Sequence, residues 1–192
     1  MTLWRDGFSR RCFVKWAAVT FATVALAAHT PYGQWTVYRR RNLFIVASRT
    51  DTRAVELAQK LVQGLLQELP ESNARFTRAS DPVRIASLLA TGQLDVAVVS
   101  RNQALQILNG SGDFRAVGSV PLRLLAELGY HLLVTVESFR EQHASLLAEA
   151  FEHMRLQFPA AAGLSGTLTI PEHSGVIAYR QRKQRNLHQT SP

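Results

Sequence analysis

Apolar residues between positions 43 and 158 follow two alternating rhythms. Short unbroken runs at residues 43–47 and 96–99 have the length and side-chain content of strands covered on both faces. Between them, Val55, Ala58, Leu61, Val62, Leu65, Leu66 and Leu69 recur at steps of three and four. That spacing predicts an amphipathic helix, opened by Asp51 or Thr52 as N-cap and stopped by Pro70. Residues 74–79 read as a second strand. Ser80 or Asp81 ahead of Pro82 marks a helix start, because proline at the first helical position gives up no needed hydrogen bond. Ile85, Ala86, Leu88 and Leu89 form the buried stripe of that helix, and Gly92 closes it.

Past Ser100 the pattern predicts a short helix over residues 102–108, ended by Asn109-Gly110-Ser111-Gly112. Strand candidates follow at residues 117–120, 122–128 and 131–136. Ser138-Phe139-Arg140-Glu141 has the spacing of a capping box. The helix behind it would carry Phe139, Leu146, Leu147, Ala150, Phe151, Met154 and Phe158 on one face. Residues 159–167 read as a loop and residues 168–170 as a last short strand. Residues 180–192 read as a basic, disordered tail. Alternation of this kind implies an α/β domain with a mainly parallel sheet flanked by helices.

The start of the chain breaks the pattern. Ser9-Arg10-Arg11-Cys12-Phe13-Val14-Lys15 precedes an uncharged run over residues 16–28 that contains Ala25-Leu26-Ala27. Basic residues, a short apolar stretch and a small-residue site are the layout of a secretory signal. Arg10 and Arg11 in this setting resemble the pair of a twin-arginine (Tat) signal. The expected organisation is a signal peptide over residues 1–27, a linker over 28–42, the α/β domain over 43–179 and the tail over 180–192. A helix of the length of that run covers about 20 Å, short of a hydrocarbon core of about 30 Å. A cleaved leader, and a periplasmic protein, is therefore expected, with an uncleaved membrane-held N-terminus as the alternative.

Charge changes the picture only once it is located. Lys and Arg number 22 against 14 Asp and Glu, a net charge of +8. Arg5, Arg10, Arg11 and Lys15 face only Asp6 at one end, and Arg180, Arg182, Lys183 and Arg185 face no acid at the other. The body is close to neutral, whereas a nucleic-acid-binding domain carries its excess on folded elements; no nucleic-acid partner is expected. Cys12 is the only cysteine and lies within the leader, so the exported chain is expected to have no thiol for a disulfide, a metal or catalysis. The histidines have no metal-ligand spacing, and neither Gly-x-Ser-x-Gly nor a phosphate-binding glycine loop occurs. The expectation is a binding protein, not an enzyme, with no cofactor.

Two segments carry a resemblance. Residues 85–99, a helix followed by Gly92-Gln93-Leu94-Asp95 and a strand, are similar to a unit of periplasmic binding proteins. Ile170-Pro171-Glu172-His173-Ser174-Gly175-Val176-Ile177-Ala178-Tyr179 resembles the Pro-x-His-x-Gly-Ala-x-x-Tyr segment of TAXI-type solute receptors, and the helix from Ser138 resembles the one before it. The resemblance implies one lobe of a type 2 periplasmic-binding-protein-like fold. It also implies a small, anionic organic solute delivered to TRAP-type membrane subunits. Two departures stand against it: Ser48-Arg49-Thr50-Asp51-Thr52-Arg53 lacks the family's Gly and Tyr at the first loop, and the length fits one domain of a two-domain receptor. A degenerate module that binds another envelope protein and has no ligand of its own is the alternative.

Ligands of open parallel sheets bind beyond the carboxyl ends of strands, where helix N-termini present free N–H groups. This rule nominates Ser48, Arg49 and Thr50, then Ser80, then Ser100, Arg101 and Asn102. Arg49 and Arg101 would grip a carboxylate through paired hydrogen bonds. In the contrary reading the hydroxyls cap helices and the arginines are solvated. His173, beside a turn glycine, reads as structural.

Overall fold

The computed structural model describes residues 42–159 and 170–189. The leader with Arg10 and Arg11, its cut after Ala27, the linker up to residue 41, loop residues 160–167, and Leu168 and Thr169 lie outside the described residues. Among the described residues, five strands and five α-helices follow in the order β1 (Phe44–Ser48), α1 (Thr52–Glu68), β2 (Arg75–Ala79), α2 (Pro82–Ala90), β3 (Val96–Ser100), α3 (Arg101–Asn109), β4 (Leu122–Leu128), β5 (His131–Val136), α4 (Glu141–Met154) and α5 (Ser174–Gln189). Among the described residues, no helix is long and apolar enough to cross a membrane.

The sheet order is β2-β1-β3-β5-β4. β1 pairs in parallel with β2 and β3, but β5 runs antiparallel to both β3 and β4. The protein is therefore an α/β domain with a mixed sheet, which corrects the expectation of a mainly parallel one. The cause is local. Leu128 pairs with His131 across the two residues Gly129-Tyr130, and parallel neighbours need a connection of a dozen residues or more. Gly129, at φ 72°, takes the first central position of that turn, where a type II′ hairpin requires positive φ.

Each face of the sheet is covered. On one, Ile45, Ala47, Val96, Val98 and Leu133 pack against Leu57, Leu61 and Leu65 of α1 and Leu147, Phe151 and Met154 of α4. On the other, Val46, Ala97, Val99, Leu132 and Val134 meet Ile85 and Leu89 of α2 and Ala104 and Ile107 of α3. The period-two alternation of the strands thus feeds two cores, which is why these runs are apolar at every position.

Several boundaries differ from expectation. α4 begins at Glu141 with Arg140 as its N-cap and no side-chain cap bond, so Ser138 forms no capping box there. The box is one helix earlier: Ser100 Oγ accepts the Gln103 N–H, and the Gln103 side chain accepts the Ser100 N–H. Leu146 is 46% exposed and stands off the buried face of α4. Residues 117–120 form no strand; Val120 instead donates its N–H to the Ile107 carbonyl. Glu172 forms an isolated parallel bridge with Leu124. The basic stretch expected as a disordered tail is helical as far as Gln189, because Arg180, Arg182 and Lys183 each find an acceptor: Glu172, Ser145 and Glu152.

Candidate functional site

The carboxyl ends of β1, β2 and β3 lie level. Ser48 pairs with Ala79, the Arg49 N–H donates to the Ala79 carbonyl at 2.9 Å, and Ser100 pairs with His131 at the start of the antiparallel β5. Every residue nominated from sequence therefore stands at one end of the sheet. Most are already engaged. Ser48 Oγ lies 2.7 Å from Thr50 Oγ1 and accepts the Thr50 N–H at 3.2 Å. Ser80 Oγ donates to Asp81 Oδ2 at 2.6 Å. Asp81 caps α2 by accepting the Arg84 N–H at 2.8 Å. The Ser80 hydroxyl first, and that N–H second, hold the Asp81 carboxyl below the usual aspartate range. Ser100 is committed to its capping box. Asn102 is exposed in the first turn of α3.

The two arginines have different fates. Arg49 is exposed and makes no ion pair among the described residues. Arg101 is drawn in. Its side chain is 12% exposed, its N–H donates to the Tyr130 carbonyl at 3.1 Å, and its Nη2 lies 3.4 Å from Glu127 Oε2. Its Nε is buried without a hydrogen-bond partner. A guanidinium offers five donors, so this one is under-satisfied, held near Glu127 by a long contact.

Sequence reasoning did not foresee the pair between Asp51 and His131. Asp51 caps α1, its Oδ1 accepting the Ala54 N–H at 2.9 Å, and its Oδ2 takes a hydrogen bond from His131 Nε2 at 3.0 Å. His131 is 8% exposed, and the Tyr130 ring stands edge-on to it at 6.2 Å. Asp51 was visible as a cap, but Glu127, Tyr130 and His131 belong to the hairpin. The available signal was the Gly129-Tyr130 turn: an antiparallel return strand delivers its first residue to the end where β3 finishes.

The Asp51–His131 pair gives the first testable prediction. Asp51→Ala removes a cap, worth about 0.5–2 kcal/mol, and leaves a buried ring nitrogen unpaired, at about 1–3 kcal/mol. A loss of roughly 2–4 kcal/mol in urea unfolding is expected. Asp51→Asn, which still caps and still offers His131 a partner, should lose less than half as much. An alanine loss no larger than the roughly 0.5–2 kcal/mol of the cap alone, with the asparagine variant unchanged, would mean that the pair contributes nothing.

Away from this sheet end, a concavity of about 590 Å³ opens between the outer edge of β4, the end of α4 and α5. Glu152 meets Lys183 at 2.8 Å and Glu172 meets Arg180 at 2.8 Å along its wall, so its charges largely cancel. Among the described residues, no group of three or more His, Cys, Asp or Glu is placed to hold a metal ion. No protein-family model matches the chain, and no curated protein is significantly similar to it.

Proposed function

We propose that this chain is an exported, solute-binding-like domain of the TAXI/TRAP type, one lobe of a type 2 periplasmic-binding-protein-like fold. In this reading it takes a small organic anion at the carboxyl end of β1–β3 and presents it to TRAP-type membrane subunits. The observation that carries it is the meeting, at one sheet end, of the N-termini of α1, α2 and α3 with an exposed Arg49 that makes no ion pair among the described residues. Helix N-termini attract anions through their free N–H groups and the helix dipole. Arg49 supplies the counter-charge, and Arg101 supplies donors whose present acceptor is distant. Asn102 offers an amide in the first turn of α3.

A panel of small carboxylates screened by thermal shift against the purified protein tests this. A ligand at a hundredfold excess over its Kd should stabilise by about 2.7 kcal/mol. Arg49→Ala should then weaken it tenfold or more, as expected for a charge-assisted hydrogen bond of about 1.5–3 kcal/mol. If no carboxylate stabilises the fold, the reading is lost.

A specific observation favours a second reading, an interaction module for another envelope protein without a solute of its own. Ser48, Ser80 and Ser100 all spend their hydroxyls on neighbouring groups, and Asp51 and Glu127 place carboxylates where an anion would sit. Recovery of a membrane partner whose binding is untouched by Arg49→Ala would decide for the module.

A further inference from the structure

The geometry points to His173 as a pH-sensitive latch: its neutral form caps and docks the start of α5, and protonation frees that start while the sheet stays folded. His173 is 2% exposed. Its Nε2 lies 3.0 Å from the Phe139 carbonyl, which only accepts, so the proton resides on Nε2. Nδ1 is then an acceptor, and it receives the Gly175 N–H at 3.1 Å. The neutral ring is satisfied on both sides. Its backbone extends the same grip: the His173 N–H donates to the Leu124 carbonyl of β4, and its own carbonyl accepts from Val176 and Ile177 in the first turn of α5. One residue thus joins the edge of β4, the segment leading into α4 and the N-terminus of α5.

Protonation opposes this arrangement in three ways. A second ring N–H would point at the Gly175 N–H, donor against donor. A positive charge would sit at a helix N-terminus, where the dipole favours anions. The charge would also be buried. Burial is the largest influence and lowers the His173 pKa below the ordinary imidazole value. Among the groups that face it, the Phe139 carbonyl, Glu141 at the start of α4 and Glu137 before it act the other way, and Arg123 of β4 reinforces burial. The Phe139 ring stands edge-on to His173 at 6.0 Å, with His143 of α4 edge-on to that same ring, also at 6.0 Å. On the α5 side, Glu172 is taken by Arg180 through two hydrogen bonds of 2.9 and 2.8 Å.

The unfolded or released segment takes up a proton near pH 6.5 while the docked one resists it, so docking is strongest above about pH 6.5 and weakens as pH falls below it. Further along the helix, Arg182 bonds to Ser145 at 2.6 Å and Lys183 to Glu152 at 2.8 Å. Opening is therefore confined to the first turns and the strap before them. What it uncovers is the edge of β4 at Leu124, whose N–H and carbonyl are covered by Pro171 and His173. Unpaired strand edges recruit further strands.

Hydrogen exchange of the full chain at about pH 7.5 and about pH 5, corrected for intrinsic rates, tests the latch. Protection over residues 174–179 should fall about tenfold or more at the lower pH while β3 changes less than about twofold. His173→Asn keeps an acceptor for the Gly175 N–H and cannot titrate, so its α5 protection should be the same at both pH values. Should that variant not fold, nitrogen NMR of the wild-type imidazole replaces it, and an unprotonated Nδ1 at about pH 7.5 with titration below the ordinary histidine value is expected. Equal loss over α5 and β3, no loss at all, wild-type pH dependence in His173→Asn, or a protonated Nδ1 would each overturn the inference.

Discussion

Gly175→Ala is expected to destabilise the protein by about 3 kcal/mol, although the same change in an ordinary helix would stabilise by up to about 1 kcal/mol. Gly175 lies in the first turn of α5, and a Cβ there would stand 2.2 Å from the Glu141 carbonyl oxygen, 2.8 Å from Ala144 Cβ and 2.9 Å from the Ser145 nitrogen. Two of those three atoms are backbone of α4, which cannot rotate away as a side chain can. Overpacking costs roughly 1–3 kcal/mol, and a clash against backbone belongs at the upper end. Gly64→Ala is the internal control. Its Cβ would meet the Met154 sulfur at 2.7 Å, the flexible end of a side chain that can repack. It should therefore fall within about 1 kcal/mol of the parent, since the helix propensity gained offsets the adjustment. Urea midpoints for the two variants decide the matter. A stabilised Gly175→Ala would mean that α5 does not seat on α4 in this way.

Phe114→Ala should cost about 3–5 kcal/mol, the range for deleting a buried aromatic ring. Phe114 is 1% exposed and packs within the core formed by β1, β3, β5, α2 and α3. Its backbone also organises the passage from α3 to β4: its N–H donates to the Ser111 carbonyl, and its own carbonyl accepts from Val117 and Gly118. Phe114→Leu, which keeps most of the volume, should lose less than half as much. A loss below about 1 kcal/mol for the alanine variant would place the ring outside the core.

Phe114 also marks where sequence reading stops. It stands between Asp113 and Arg115 in a stretch broken by Gly110, Gly112 and Gly118, and a single helical step to Val117 is too short a pattern for periodicity to give it weight. By contrast, α1 and α2 were legible in outline because each buries one face at helical spacing, and β1 and β3 because each is a short run buried on both faces; β2, buried only at Ala79, was legible from its place between two helices. Their caps were legible too: Asp51 and Asp81, each among two nominated residues, are the N-caps of α1 and α2. Ser138 failed as a cap for a different reason. The spacing to Glu141 was right, but α4 starts later, and Phe139 gives its carbonyl to His173.

The candidate site was half legible. Ser48, Arg49, Thr50, Ser80, Ser100, Arg101 and Asn102 do stand at one end of the sheet, as the rule for strand ends requires. Their engagement was not visible. Arg101 is 26 residues from Glu127, and Asp51 is 80 residues from His131. No local pattern encodes contacts at such separations.

By itself the sequence determined which segments are strands and helices through the first half of the domain, since helices bury one face at the helical period and the central strands are short runs apolar at every position. It also determined that the excess charge lies at the two ends. The tertiary structure alone decided that β5 inserts between β3 and β4, that a carboxylate holds His131, and that the basic stretch is a docked helix. Those outcomes depend on which surfaces meet after the chain closes, and complementary shape and paired polar groups select among the alternatives that a periodic pattern leaves equal.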